Sequence, residues 1–457
     1  MSLETTAASL EDQLVDGLSF KLGNSANYVT RRESTTIFAS GSNSYSSNGT
    51  KVIRFNVVAD GWLDPSTLQF QYKLTNNASV ADTGSAQTRC QLLGSQASPF
   101  SRLMIQMGGQ QCEDITMYNR FYNQMLELAP TSYIENFVNQ GPGILEPYPT
   151  ARWQYFDLRM FGPGASKTMS MPLICGTMNQ RKWLPLRWVN LVVSIELSEP
   201  SICCRSGTDG TSPVTTFSSD YTISDCVLKA DVCTLDNSLE EEFSKVLLSG
   251  RKLSLEMSCY SHQTHSMVAG EDQPTVTSTR QVSRLKSAFA SFFAQRDSKR
   301  SEVNAWHHPI GIPDGGASHP ATLANDDIIP DSQSISYQWA LNSNVYPTFP
   351  VRSFTESWCQ LTKALGQHNS TSHPIGIDSL SYQTDTYMLA NDFEVVLQAS
   401  FSGQSLRSGG MLQLILGNMS LGGTITASSA DAIKRCYILL MFSQIIEISS
   451  DGVTVLD

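Results

Sequence analysis

The chain has 457 residues and a formal net charge of −11, and charged residues make up only 16% of it, against roughly 25% in ordinary soluble domains. No basic block lies at either end. The best local candidate, Arg31 and Arg32 in YVTRRES, is two charges, which argues against direct nucleic-acid packaging through phosphate neutralisation. Hydrophobic residues at 40% and aromatics at 9% are enough for full cores. The length calls for two or three domains, and for two if they are large all-β units. So low a charge density leaves two readings open: a surface covered by partners, or a Ser/Thr-rich β protein that is polar without charge.

In chain order, SLEDQLVDGL reads as a short helix with Ser9 as N-cap, Glu11 and Asp12 in the first turn, and Leu10, Leu14 and Leu18 stacked at i, i+4. Strands follow. Lys51–Val58 and Leu68–Leu74 are separated by the breaker DGWLDPS, and then come WQYFDLRM, KTMSMPLIC, VNLVVSIELS and YTISDCVLKADVCTL. SLEEEFSKVLLSG (Ser238 to Gly250) has a capping Ser, an acidic first turn and a terminal Gly, the marks of a short helix. Beyond it lie KLSLEMSCYS, SRLKSAFASFF, DFEVVLQASF, GMLQLILGN and CYILLMFSQIIEI. Strands dominate and helices are few, so the pattern predicts sandwiches.

An internal repeat organises these elements. The hairpin LMIQM-GG-QQCED turns at Gly108 and Gly109 and leads into a helix predicted from about Glu113 to Leu128, with Ile115, Tyr118, Tyr122, Met125 and Ala129 on one face. The hairpin YQWAL-NS-NVYP turns at Asn342 and Ser343 and leads into a helix from about Thr355 to Leu365, with Trp358, Leu361 and Leu365 at matching spacing. After each helix comes an irregular stretch, then FDLRM at Phe156 or VVLQA at Val395, then MSMPLICG at Met169 or MLQLILGN at Met411. The steady offset of four elements predicts two copies of one β domain.

The ten cysteines (Cys90, Cys112, Cys175, Cys203, Cys204, Cys226, Cys233, Cys259, Cys359 and Cys436) form no CxxC and have no His at zinc-ligand spacing. Several lie in apolar runs and read as small core hydrophobes. With no signal peptide in MSLETTAASLEDQ, a reduced intracellular compartment is the expectation. The four sequons at Asn48, Asn77, Asn369 and Asn418 are what so Ser/Thr-rich a chain produces by chance. The run from Cys436 to Ile448 is too short to span a bilayer, and the chain is expected to be soluble.

Segments in both halves, GWLDPSTLQFQYKLT (Gly61–Thr75), CEDITMYNRFYNQM (Cys112–Met125), NQRKWLPLRWVNLVVSIELSE (Asn179–Glu199), SRLKSAFASFF (Ser283–Phe293), YQWALNSNVYPTFPV (Tyr337–Val351) and ANDFEVVLQASFSGQSLRSGGMLQLILGN (Ala390–Asn418), carry a resemblance. Their order and spacing resemble the double jelly-roll major capsid proteins of eukaryotic double-stranded DNA viruses, the lineage of Polinton-like viruses, virophages and large nucleocytoplasmic viruses. The resemblance implies an all-β fold of two tandem eight-stranded jelly rolls with short inserted helices. Its divisions would be an amino-terminal arm at 1–30, jelly roll 1 at 31–237, a linker helix at 238–250 and jelly roll 2 at 251–457. It also implies three chains closing into a pseudo-hexagonal capsomer that tiles an icosahedron, in contact with neighbouring capsomers and with penton and minor or cement proteins. The chain would act in the virion after assembly inside the host cell, without secretion, cofactor or enzymatic activity, and its amino-terminal helix would point into the capsid. The Gly/Pro/Ser-rich segments 201–219, 268–280 and 307–333 are the expected outer loops.

Residues that invite a chemical reading each have a plainer one. His307, His308 and His319 form the densest histidine group, and His262 and His265 form an H-x-x-H pair; neither has a third ligand at known spacing. Asp326–Asp327 and Glu240–Glu242 are carboxylate pairs in a loop and a helix start, where solvation or capping explains them. Trp153, Trp183 and Trp188 would make a sugar platform or simply core, and SGG at Ser408–Gly410 reads as a hairpin turn. No residue is therefore assigned as catalytic, cofactor-binding or metal-binding. A carbohydrate-binding double sandwich and a β-sandwich glycoside hydrolase stand as the alternatives to a capsid protein.

Overall fold

The computed structural model describes residues 28–78, 86–92, 94–129, 161–204, 208–209, 214–268, 271–294, 335–366, 375, 377, 382, 387–394, 403–407, 410–419 and 433–456. The predicted amino-terminal helix, WQYFDLRM, the matched pair FDLRM and VVLQA, and most of DFEVVLQASF lie outside them.

Eight strands build the first half: β1 (Val29–Phe38), β2 (Val52–Val57), β3 (Trp62–Asn76), β4 (Phe100–Met107), β5 (Gln110–Thr116), β6 (Ser166–Pro172), β7 (Leu191–Leu197) and β8 (Tyr221–Leu235). They form two sheets ordered β1-β8-β3-β6 and β2-β7-β4-β5, with short strands at Ser44–Tyr45 and Leu184–Pro185 on the margins of the first. The second half holds β9 (Leu253–Ser266), β10 (Thr275–Ser278), β11 (Leu285–Ala294), β12 (Ser336–Leu341), β13 (Asn344–Val351), β14 (Met388–Asp392), β15 (Leu412–Gly417) and β16 (Ile433–Ser449). Their sheets run β9-β16-β11-β14 and β10-β15-β12-β13, with a strand β17 (Gly452–Leu456) folding back on β16. Adding eight to every label of the first half reproduces the second. Every pairing along these four paths is antiparallel, and the chain is two tandem jelly-roll sandwiches.

Alternation explains the best-defined strands. In β8 the residues Tyr221, Ile223, Leu228, Ala230 and Val232 point into the core, while Lys229 and Asp225 face out. The shift in phase between Ile223 and Leu228 is a bulge at Asp225, whose φ of 51° is left-handed. The twin turns use left-handed residues as well: Gly108 and Gly109 at φ 55° and 82°, and Asn342 at 58°, as two-residue hairpins require.

Helices α1 (Tyr118–Leu128) and α3 (Phe354–Ala364) follow β5 and β13, and α2 (Asn237–Leu248) joins the halves. Ser353 caps α3 by accepting from the Glu356 amide at 3.1 Å, and the Glu356 carboxylate reaches back to the Arg352 amide at 3.3 Å. Ser353→Ala should therefore cost about 1 kcal/mol in a denaturant titration, since an orphan amide at the helix start loses its acceptor.

Several expectations change. The breaker DGWLDPS does not end a strand: β3 runs from Trp62 to Asn76, and a wide bulge at 65–68 absorbs Pro65. The Thr67 hydroxyl bridges it, donating to Asp64 O at 2.8 Å and accepting from the Asp231 amide at 2.9 Å. Glu113–Thr116 belong to β5, so α1 starts at Tyr118. Asp236, rather than Ser238, caps α2, accepting from the Ser238 amide at 3.2 Å. Part of the presumed outer loop 268–280 is β10, and part of 201–219 forms a small sheet with Ala86–Arg89. The match of Met169 with Met411 is also wrong: the first lies in β6, whereas the second precedes β15, whose partner by position is β7. Helix and hairpin do correspond, with 236 residues separating Tyr118 from Phe354 and Phe100 from Ser336.

Candidate assembly surfaces

One buried apolar cluster runs through both halves without a break, because the sandwiches press one sheet of each together. From the first come β5, α1 and the turn at 173–178; from the second comes the sheet β9-β16-β11-β14. Phe121 packs on Tyr260 with ring centroids 4.9 Å apart, and Gln124 Nε2 donates to Ser291 Oγ at 2.5 Å. The Arg120 guanidinium lies over the Tyr437 ring at 3.9 Å, and the Thr116 hydroxyl donates to His262 O at 3.3 Å. Two glycines mark the closest approach. A Cβ at Gly176 would stand 2.3 Å from Ser258 O, and one at Gly108 would stand 2.7 Å from Val453 Cγ2.

Behind this seam the buried Glu113 carboxylate accepts from the Gly176 amide at 2.8 Å, the Thr177 amide at 2.7 Å and the Thr177 hydroxyl at 2.6 Å. Burial raises its pKa, and those three donors offset only part of the rise. The cluster fixes the turn that touches the second sandwich.

The two sandwiches are thus alike in fold and opposite in exposure. In α1 every described side chain is buried except half-buried Met125, whereas Thr355, Glu356 and Cys359 of α3 are exposed. On β16 the alternate residues Tyr437, Leu439 and Ser443 are each about 1% exposed and Met441 between them is half-buried. On β8, the strand in the same position, Lys229 is exposed and Val227 and Asp231 are half-buried. Each chain therefore presents an uncovered helix-side face on its second sandwich and an uncovered sheet face on its first. Beside α3, the strands β10, β12, β13 and β15 contain no charged residue at all, and Val345 and Phe349 stand exposed at their edge, Phe349 at 79%.

An open groove of about 660 Å³ lies where the halves and α2 meet, walled by Trp62, Trp183, Leu239, Phe243, Leu253 and Leu255. A second, of about 600 Å³, lies between Asp64 and Trp183. Among the described residues the first has no carboxylate in its lining and the second has Asp64, which takes an ion pair from Arg32 at 2.9 Å and a hydrogen bond from the Ser66 hydroxyl at 2.6 Å. Neither brings together the two carboxylates that glycoside hydrolysis uses.

The residues singled out by sequence resolve as follows. Arg32 also pairs with Asp231 at 2.8 Å, and Arg31 pairs with Glu33, so the arginines tie β1 to its own sheet. His262 and His265 sit three apart on strand β9 and face opposite sides, which denies them a shared metal. Burial, with Arg120 adding to it, pushes the His262 pKa down to about 3. Glu240 receives Arg187 at 2.6 Å, and Glu241 and Glu242 are exposed. Trp188 packs edge-on against Trp62 at 5.6 Å and Phe243 lies against Trp62 at 5.0 Å, while Trp183 lines both grooves. His307, His308, His319, Asp326, Asp327, Trp153, Ser408 and Gly409 lie outside the described residues.

None of the ten cysteines forms a disulfide, and nine are buried. Among the described residues, no three His, Cys, Asp or Glu side chains converge as a metal site, and no helix is long and apolar enough to cross a membrane. Sequence reasoning missed Gly176, Glu113 and Thr177. Their signal, a buried acid facing a Gly-Thr turn across 63 residues, has no local pattern.

Two sandwiches of identical strand order, packed side by side in one chain, define a double jelly roll. Solved structures share that fold over nearly the whole chain. The PBCV-1 protein VP54 aligns at 14% identity and a TM-score of 0.58, over 94% of this chain and 97% of its own. The Faustovirus major capsid protein aligns at 9% and 0.57, over 97% and 94%. A chain of the Sputnik virophage aligns at 12% and 0.50, over 97% and 92%. No family model and no curated protein matches the sequence.

Proposed function

We propose that the chain is a major capsid protein: three copies close into a ring of six sandwiches, the capsomer of an icosahedral double-stranded DNA virus shell. The observation that carries this is the opposite exposure of the two sandwiches. A contact already made once within the chain, helix side of one sandwich against sheet face of the next, has both its halves left over at the chain's two sides. Repetition of that contact between chains is heterologous, and such contacts either close into rings or run on as filaments. Capsid proteins sharing the fold favour closure.

The same reading divides the chain into an arm at 1–30, sandwiches at 31–237 and 251–457, and a linker helix at 238–250. It assigns the segment 307–333, with the parts of 201–219 and 268–280 that lie outside the small sheet and β10, to the end facing outward, and leaves contacts to neighbouring capsomers, pentons and minor proteins to the rim. The place of action is the virion. A carbohydrate-binding or hydrolytic role draws no support from the groove linings.

Sedimentation of the purified chain should show a stable trimer at micromolar concentration, and a clean monomer overturns the proposal. Phe349→Asp should shift the trimer to monomer while changing stability by no more than about 0.5 kcal/mol, because so exposed a side chain contributes little to the isolated fold. A trimer unaffected by this charge would remove the β13 side from the contact.

A further inference from the structure

The groove beneath α2 is built from both sandwiches and from the linker, yet nothing among the described residues fills it. Its walls are apolar: Trp62 and Trp183 from the first half, Leu239 and Phe243 from α2, and Leu253 and Leu255 from β9. Its charged lining is basic, with Arg181, Lys182 and Lys252 and no carboxylate among the described residues. Lys182 donates to Ser254 O at 2.8 Å and Lys252 pairs with Glu447 at 2.7 Å, while Arg181 has no ion-pair partner among the described residues. Tyr28 and Val29, where the described chain begins, line the same groove.

The 27 residues that precede Tyr28 are complementary on both counts. Leu10, Leu14 and Leu18 repeat at helical spacing, an apolar stripe that needs a surface to bury it. Glu4, Glu11, Asp12 and Asp16 stand against Lys21 alone, giving the segment net negative charge. The tether reaches: ten residues separate Leu18 from Tyr28, and an extended chain of that length spans about 33 Å.

We propose that the segment Ser9–Leu18 docks in this groove of its own chain, its leucines between Trp62, Phe243 and Leu255 and its acids toward Arg181 and Lys182. The arm then latches the linker helix to both sandwiches, and the junction between the halves is complete only when the arm is in place. This does not depend on the capsid reading, since it concerns contacts within one chain.

The test is cross-linking in the full chain with the exposed Cys359 changed to Ser. Leu14→Cys combined with Leu239→Cys should form a disulfide under copper phenanthroline at monomer mass, identified as a linked peptide by mass spectrometry. A control pair, Leu14→Cys with Phe349→Cys, should not. Absence of the first link, equal linkage in the control, or a covalent dimer overturns the proposal, a dimer because the occupant would then be another chain. Should the cysteine variants fold poorly, hydrogen exchange on Leu14→Asp gives a second reading. Amides of 237–248 should exchange at least about tenfold faster than in the unaltered chain, the factor expected from losing one buried leucine, and unchanged exchange overturns the latch. Sedimentation of the same variants reads the trimer separately.

Discussion

Gly176→Ala should separate the two sandwiches, and Gly176→Val should leave no soluble protein. The added carbon would stand 2.3 Å from Ser258 O, 2.9 Å from Ser258 C and 3.0 Å from Glu113 Oε1. Neither side of that contact can give way cheaply. Ser258 lies midway along β9, which pairs with β16 without a break from Leu253 to Ser266, so moving its carbonyl strains a whole ladder. Gly176 is pinned by its amide to Glu113 and through its neighbours: the Ile174 amide donates to Tyr118 Oη at 2.9 Å, and Thr177 donates twice to Glu113. Overpacking in cores costs about 1–3 kcal/mol where side chains can shift. Here two backbones collide, so alanine is expected at the upper end of that range, about 3 kcal/mol. Its midpoint in urea should fall accordingly, with exposure of the apolar seam read by dye binding. An alanine variant of unaltered midpoint would mean that the halves do not meet at this turn.

Much of the architecture was legible because a jelly roll buries one face of each strand, and burial writes an alternating pattern. YTISDCVLKADVCTL coincides with β8 from Tyr221 to Leu235, and the twin hairpins were found by their turn residues. The misses share a cause. Pro65 reads as a breaker until the Thr67 hydroxyl and Asp231, 164 residues away, are seen to hold the bulge. TVTS at Thr275–Ser278 is too short to show a period against its Ser/Thr surroundings. Asp236 wins the cap of α2 because its carboxylate accepts from both the amide and the hydroxyl of Ser238, a choice that composition leaves open.

The assembly surfaces were half legible. In the paired helices, Phe121 stands where Ser357 does and Arg120 where Glu356 does. At these positions the first helix touches Tyr260 and Tyr437, whereas in the second Glu356 is exposed and Ser357 is buried within its own sandwich, its hydroxyl 2.8 Å from that of Tyr382. That divergence inside a conserved apolar stripe is the trace of two different neighbours. It cannot be read without knowing that the helices occupy equivalent places. The H-x-x-H pair lies just past the predicted strand KLSLEMSCYS, which ends at Ser261; because β9 runs on to Ser266, period-two geometry parts His262 from His265.

Acid should loosen the seam between the sandwiches through His262, and replacing that one residue should remove the effect. Its ring is buried, neither ring nitrogen has a hydrogen-bond partner, and the ring leans on Tyr437 at 5.3 Å. The Arg120 guanidinium sits on the same tyrosine at 3.9 Å, so a proton on His262 would place a second cation beside the first without water. Burial and Arg120 together hold the pKa at about 3, below the ordinary 6.5. A histidine with a depressed folded pKa is neutral in the fold and charges on unfolding. Its contribution is therefore intact above pH 6.5 and is lost as pH falls from there toward 3, at about 1.4 kcal/mol per pH unit. Between pH 6.5 and pH 4.5 that amounts to about 2 kcal/mol. Glu113 drifts the other way, because burial raises its pKa and low pH then favours the fold. The difference between two proteins isolates the histidine. His262→Phe keeps the ring against Tyr437 and cannot take a proton. Its stability relative to the unaltered chain should rise steadily as pH falls below 6.5 and stay flat above it, measured by urea unfolding at each pH. Parallel stability curves for the two proteins would mean that the ring is hydrated and His262 carries none of the acid response.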